Sequence, residues 1–194
     1  MLHSVFSDLA GFKELHFSDG LNILLADADS EESSTATRNG AGKSSFVEVV
    51  HFVLGADAGK DSIFRDPALA DTSFGLDVDV EQRLVARRRG HDRGWVETAA
   101  NRVLVIDNLG QRIRVSEWKS RLGSAWFGLE PDDDQRMPSF RSLFPYFARR
   151  VSSGGFATPE KYYAQQQTGT VQLALSYILG LPWLPYWWLP EDCR

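Results

Sequence analysis

The order of apolar and polar residues predicts a chain that opens with strands and one helix and continues as an antiparallel sheet. Residues 21–26 form a continuous apolar run, which is typical of a strand buried on both faces. Residues 74–80 alternate between apolar and polar, which predicts a half-buried strand, and 82–88 is its expected hairpin partner. Further strands are expected at 2–6, 12–17, 95–98, 102–106 and 111–115.

Helices are predicted in four segments, mainly in the second half of the chain. Residues 44–54 offer a broad apolar surface, and Gly55 is the expected C-terminal stop. Ser116 is the expected N-cap of a helix that covers 116–122. Helices are also expected at 139–150, in spite of Pro145, and at 170–179.

A glycine-rich motif lies between the predicted strand at 21–26 and the predicted helix at 44–54. Its order, strand then loop then helix, is the setting that a phosphate-binding loop needs. Backbone N–H groups of the motif would surround the β-phosphate, Lys43 would reach the β- and γ-oxygens, and Ser44 would hold Mg²⁺. We therefore expect ATP and Mg²⁺ as ligands, with these nucleotide-binding residues: Arg38, Asn39, Gly40, Ala41, Gly42, Lys43, Ser44 and Ser45.

The motif departs from the full consensus at its start. Thr37 stands where the first glycine is expected, and Arg38 follows where a small residue is common. The alternative is a glycine-rich turn that caps an ordinary helix. The preceding segment 27–37 is polar and acidic, and we expect an exposed, mobile loop that is either a lid over the nucleotide or a tolerated surface insertion.

Groups that would hydrolyse ATP are harder to find than the phosphate loop. Residues 103–107 have the form of an apolar strand ending in an acid, Asp107, but Asn108 follows where a second acid is expected. The alternative is a strand that ends in an Asp-Asn turn. Residues 152–155 resemble a signature motif of ABC-type ATPases but are interpreted as a flexible linker.

Composition narrows the class of protein. The chain has 194 residues, a net charge of -5 and one cysteine, Cys193, so intramolecular disulfides and a cysteine-based zinc site are excluded. We expect a cytoplasmic protein with no membrane span and no signal peptide. The basic cluster at 87–93 is predicted to be a hairpin tip, either a contact for nucleic-acid phosphates or a partner acid, or a solvated turn.

Four segments together resemble the N-terminal half of SMC/RecN-like ABC ATPase heads. They are residues 12–17, 20–26, 38–45 and 52–55. Residues 138–150 look like the coiled-coil ATPases of bacterial ABC three-component systems, which are thought to act in defence against foreign DNA. The resemblance implies an α/β P-loop NTPase lobe of ABC/SMC type over residues 1–180, with an added antiparallel sheet and C-terminal helices, followed by a tail at 181–194 rich in Trp and Pro.

In that family the ATPase head is split between two lobes, and the N-terminal lobe carries a glutamine that senses the γ-phosphate. That glutamine has no secure counterpart here, since Gln135 and the three glutamines at 165–167 are poorly placed to judge. The resemblance implies that a second lobe or subunit supplies the signature motif, the acidic strand and the switch histidine, that ATP can bridge a homodimer, and that the chain alone hydrolyses ATP negligibly. The expected role is DNA repair or defence against foreign DNA, with DNA as a possible partner. The alternative is a non-enzymatic interaction module, with the Trp-rich tail as its adhesive surface; a small kinase or GTPase fits less well.

Overall fold

The computed structural model describes residues 1–25, 43–60, 62–106, 109–130 and 137–182. The chain divides into two compact units, Met1–Trp118 and Lys119–Arg194. Six strands belong to the first unit: β1 Leu2–Ser7, β2 Leu15–His16, β3 Ser73–Asp79, β4 Arg83–Arg89, β5 Trp95–Ala99 and β6 Gln111–Arg114. The helices are α1 Lys43–Val53, α2 Arg102–Ile106, α3 Val115–Phe127, α4 Phe140–Leu143 and α5 Thr168–Ile178.

The strands form one antiparallel sheet in the order β2-β1-β3-β4-β5-β6. The expected P-loop NTPase arrangement, which has a parallel sheet, is therefore wrong. Short turns join β3 to β4 and β4 to β5, and a short connection can only return the chain as an antiparallel neighbour. Residues 21–25, expected to be a buried central strand, have no regular secondary structure and are exposed.

Alternation along β3 and β4 fixes the register of the sheet. The two strands pair from Ser73 with Arg89 to Asp79 with Arg83. Leu76 and Val78 of β3 are buried on one face of the sheet, and Val85 of β4, which pairs with Asp77, is buried on the other, so both faces contribute buried residues. The predicted strands at 74–80, 82–88 and 95–98 are confirmed. The one expected at 12–17 is confirmed only at β2, and the one at 102–106 is wrong because that segment is α2.

Helix α1 packs against β3 and β4 through one apolar surface. Val49, Val50, Phe52 and Val53 are buried, as its apolar pattern predicted. Two residues after the helix, Gly55 terminates it with a φ of 85°, which is in the left-handed region. The amide of Ala56 donates to the His51 carbonyl at 2.8 Å and that of Gly55 to the Phe52 carbonyl at 3.1 Å, the pattern of a Schellman motif.

The described part of the second unit is helical with one long ordered loop. Leu129, Leu143 and Ala174 form its buried cluster, with Phe127 and Tyr177 packed against them. The Tyr177 hydroxyl donates to the Phe127 carbonyl at 2.8 Å, which joins α5 to the end of α3. The predicted helix at 139–150 is confirmed only at α4 and the 3-10 turn Phe144–Tyr146 that follows it.

Candidate functional site

The start of α1 is the part of the glycine-rich motif that the structure describes. The helix begins at Lys43, and Ser44 and Ser45 are exposed in its first turn. Of the predicted nucleotide-binding residues, Arg38, Asn39, Gly40, Ala41 and Gly42 lie outside the described residues, and for Lys43 only the backbone is described. The backbone N–H groups in the first turn of an α-helix have no intrahelical acceptor, and the positive end of the helix dipole lies there.

The opposite end of α1 is held by two side chains from elsewhere in the first unit. Nη1 of Arg88 donates to the Phe52 carbonyl at 2.6 Å and to the Ala56 carbonyl at 2.7 Å. Nε1 of Trp118 donates to the Val53 carbonyl at 2.9 Å. A buried cation at the C-terminal end of a helix is favourable for its dipole. Both donors bind carbonyls at this end, and the Phe52 carbonyl accepts from the Gly55 amide as well.

Aromatic contacts fix α1 against the sheet along its length. The Phe52 ring stacks on Phe64 with centroids 4.0 Å apart, and Phe74 of β3 meets both rings edge-on. The Arg88 guanidinium lies 4.3 Å from the centroid of Phe52. Near the start of the helix, the Phe46 ring lies 5.7 Å from Phe17. These contacts hold the direction of α1, and therefore the direction in which its first-turn N–H groups point.

The basic cluster at 87–93 is a hairpin tip only in part: His91 and Arg93 lie in the turn between β4 and β5, whereas residues 87–89 belong to β4. Arg87 and Arg88 lie within β4 and are 5% and 3% exposed, so neither is available to a nucleic acid. Nε of Arg87 donates to the Glu97 carboxylate on β5 at 2.9 Å. Arg88 caps α1 and also bonds to the Arg93 carbonyl, with Nε at 3.1 Å. Both arginines serve the fold of the first unit.

Of the candidate acid and glutamines, only the three glutamines at 165–167 are among the described residues. Asp107 and Gln135 lie outside the described residues, and the segment before Asp107 is a helix rather than a strand. Gln166 is 2% exposed: its Oε1 accepts from the Tyr162 amide at 3.1 Å, and its Nε2 donates to the Tyr146 hydroxyl at 3.0 Å. Gln165 and Gln167 are exposed. The amide of Gln166 is therefore engaged within the second unit.

Residues 152–155 form an ordered turn rather than a flexible linker. The Ser153 hydroxyl donates to the carbonyls of Arg150 and Tyr162 at 3.2 and 3.3 Å. Gly154 has a φ of 70°, and a Cβ at Gly155 would lie 2.6 Å from the Tyr162 carbonyl oxygen. This turn needs glycine at both positions, and its serine is used for internal hydrogen bonds.

A cleft of about 230 Å³ lies on the sheet of the first unit, and the sequence did not indicate it. Nη1 of Arg102 binds both carboxylate oxygens of Glu14 at 2.7 and 2.6 Å. Arg83 binds Asp77 through two bonds of 2.9 and 2.8 Å. Because each guanidinium already faces a carboxylate, the cleft is close to electrically balanced. The arginine pairs join positions 6 and 88 residues apart, which no local pattern reveals.

Among the described residues, no group of three or more His, Cys, Asp or Glu side chains is placed to hold a metal ion. None of the helices in the described ranges is long and apolar enough to cross a membrane.

No family model, no curated protein and no solved structure matches this chain.

Proposed function

We propose that this chain binds ATP with Mg²⁺ through the glycine-rich segment at the start of α1, as the N-terminal half of an ATPase head that resembles those of SMC/RecN-like proteins. The observation that carries the proposal is the position of Lys43 at the first residue of α1, directly after Asn39-Gly40-Ala41-Gly42. The proposal concerns the binding chemistry; the parallel-sheet fold is not part of it.

The anchoring of α1 supports a role in anion binding. Arg88 and Trp118 satisfy carbonyls at its C-terminal end, so the cationic side chain lies at the end where a cation is favourable. A phosphate at the other end would meet unbonded N–H groups and the positive end of the dipole. Lys43 and Ser44 would then act on the β- and γ-oxygens and on Mg²⁺.

A substitution at Lys43 tests nucleotide binding. Lys43→Ala removes the charge that would face the phosphates, so MgATP affinity should fall at least tenfold, about 1.4 kcal/mol, in isothermal titration calorimetry. Lys60→Ala, an exposed lysine of the same unit, is the matched control and should leave the affinity unchanged. Equal MgATP affinity of wild type and Lys43→Ala, or no MgATP binding by wild type, would refute the proposal.

We expect the purified chain to bind ATP without turning it over at an appreciable rate. Contacts to the phosphates and Mg²⁺ stabilise ground state and transition state alike, whereas rate enhancement needs a positioned water and added charge on the γ-phosphoryl group. Those groups would come from a second lobe or from a facing copy. Steady-state phosphate release that is lost in both Lys43→Ala and Asp107→Asn would show instead that the chain is a complete ATPase.

A partner for the first unit is supported by the apolar segment 21–25. Leu21, Ile23 and Leu25 are 87%, 71% and 81% exposed. The turn that leads into them is ordered, because Nδ2 of Asn22 donates to the Ser18 carbonyl at 2.8 Å and the backbone N–H of Ser18 donates to Oδ1 of Asn22 at 3.0 Å. Adjacent exposed apolar side chains on an ordered turn mark a partner surface, which we assign to the second lobe or subunit.

The same surface favours a second candidate function, that of a non-enzymatic interaction module. Sedimentation velocity with and without MgATP separates the two. Association that needs MgATP and is lost in Lys43→Ala supports the ATPase head, including its ATP-bridged homodimer. Association that is independent of nucleotide and lost in Ile23→Ser supports the interaction module.

A further inference from the structure

The loop of the second unit between Phe147 and Tyr163 combines positive charge with exposed aromatic rings. Residues 137–182 contain four basic side chains and one acidic one, although the whole chain has a net charge of -5. The basic residues are Arg141, Arg149, Arg150 and Lys161, and the acid is Glu160. Glu160 can therefore offset at most one of the four charges within this segment.

The hydrogen-bond partners of Arg149 are uncharged backbone carbonyls. Its Nη1 donates to the carbonyls of Gly155 and Thr158 at 3.1 and 3.3 Å, and its Nη2 donates to the Pro159 carbonyl. Carbonyl oxygens satisfy the donors of the guanidinium without cancelling its charge. The side chain is thus fixed in place and still contributes a positive potential at the loop surface.

The same arginine joins the two segments that carry exposed rings. Phe147 and Phe156 are each 65% exposed. Arg149 lies two residues after Phe147, and the carbonyls it binds lie on either side of Phe156. A Cβ at Gly155 would lie 2.9 Å from the Arg150 carbonyl oxygen, so the two segments approach each other closely there. Both rings are therefore carried by segments that Arg149 holds close together.

The remainder of the loop is rigid enough to present these groups. The Tyr146 hydroxyl donates to the Glu160 carbonyl at 3.1 Å, and buried Gln166 bonds to both Tyr146 and the Tyr162 amide. The Tyr146 and Tyr162 rings meet edge-on at 5.1 Å. Burial raises the pKa of both tyrosines, so their hydroxyls stay neutral and keep these bonds at neutral pH.

We propose that the Phe147–Tyr163 loop is a binding surface for single-stranded nucleic acid. Its cations would meet the phosphates, and unpaired bases would stack on Phe147 and Phe156, a combination typical of proteins that bind single strands without sequence preference. A duplex offers phosphates but keeps its bases stacked on each other, so it would use only half of this surface. The proposal rests on the second unit alone and stands or falls independently of ATP binding.

Fluorescence anisotropy with a labelled oligothymidylate and a duplex of equal length tests the proposal on the full chain. We expect the single strand to bind at least fivefold more tightly than the duplex. With no more than four phosphate contacts, log K should fall by no more than about 3 per decade of salt. No binding of the single strand at low salt, or equal binding of the duplex, would overturn the proposal.

Substitutions of the two exposed phenylalanines and of Lys161 test which residues form the binding surface. Phe147→Ala/Phe156→Ala should weaken single-strand binding at least tenfold, because each stacked base contributes a factor of about five or more. Leu109→Ala/Val103→Ala removes two comparably exposed apolar side chains from the first unit and is the control. Lys161→Glu should weaken binding, whereas Lys60→Glu should not. Equal effects of loop and control variants would refute the assignment.

Two further measurements keep the test decisive. Phe147 also contacts the Phe127 ring at 5.7 Å, so the double variant can fail to fold; Phe156→Ala alone should then still weaken binding severalfold, and unchanged binding would contradict the proposal. Vesicles containing phosphatidylserine distinguish a lipid surface from a nucleic acid. Vesicle binding that Phe156→Ala abolishes, with no oligonucleotide binding, would overturn the proposal in favour of a membrane surface.

Discussion

The two units use arginine in different ways. In the first unit, four arginines are bound to carboxylates of other strands or loops: Arg83 to Asp77, Arg87 to Glu97, Arg102 to Glu14 and Arg112 to Asp92. In the second unit, Arg149 binds three backbone carbonyls of its own loop. Ion pairs neutralise a surface, whereas carbonyl contacts order a loop and leave its charge in place.

Charge content follows the same division. The first unit has 19 acidic and 13 basic residues, whereas the second has seven and eight. Arg65, Arg88 and Arg93 of the first unit also donate to carbonyls, but of these three only Arg88 is buried, beneath α1, where its charge faces the helix end. The partners of an arginine, more than its position in the sequence, therefore decide whether its charge is neutralised or left in place.

The largest expected effect comes from removing the buried exception. Arg88→Ala removes the buried, charged donor of the Ala56 and Arg93 carbonyls, at about 1.5 kcal/mol each, so the free energy of unfolding should fall by about 3 kcal/mol; the Phe52 carbonyl keeps the Gly55 amide as a donor. Urea denaturation followed by Trp fluorescence measures it. The control is Arg83→Ala on the same strand, whose exposed ion pair should contribute far less.

If Arg88→Ala and Arg83→Ala destabilise the protein equally, the contrast between carbonyl-bound and carboxylate-bound arginines fails. Arg88→Ala should also weaken MgATP binding if α1 loses its fixed direction. Unchanged stability together with unchanged binding would mean that Arg88 does not anchor the helix.

Sequence patterns predicted the parts of the first unit that depend on neighbours along the chain. The alternation in 74–80 and the glycine at 55 were sufficient for β3, β4 and the end of α1, because period-two burial and a left-handed C-cap are local requirements. Helix α2 was mistaken for a strand because five residues, Arg102–Ile106, show no clear period. Its position depends on Glu14 and Phe6, which Arg102 reaches across the chain.

The candidate site shows the same limit. The glycine-rich motif and the helix after it were predictable, because the motif is contiguous in the sequence. The burial of Arg87 and Arg88 was not, since charged residues beside a turn signal are usually exposed. Glu97 on β5 explains the position of Arg87, and the carbonyl end of α1 explains that of Arg88. The basic loop of the second unit was missed because its cations, Arg149, Arg150 and Lys161, are spread over 13 residues and the loop is closed by the carbonyl bonds of Arg149.

A smaller effect is expected at the centre of the second unit. Gln166→Ala removes the acceptor of the Tyr162 amide and the donor to the Tyr146 hydroxyl, which should lower the free energy of unfolding by about 2 kcal/mol. It should also speed tryptic cleavage after Lys161, because the loop loses its internal support. Exposed Gln165→Ala is the matched control. Identical proteolysis of the two variants would show that the loop is ordered by Arg149 alone.

The smallest effect separates the units by their response to acid. Asp79 accepts from the His3 ring at 2.9 Å and binds the N-terminal amine at 3.1 Å, and these bonds, the one to His3 first, lower the pKa of its carboxyl group below the usual 3.8. A lowered folded-state pKa stabilises the fold above pH 3.8 and ceases to do so as the pH falls through the lower value.

Asp79→Asn should therefore speed amide hydrogen exchange in β1 at about pH 6 and make no difference at the acid limit. Asp71→Asn, at an exposed carboxylate, should change neither. Exchange in 147–163, where Arg149 binds carbonyls that do not titrate, should be the same in wild type and Asp79→Asn at every pH; a shared acid response would mean that the two units are stabilised by the same kind of contact.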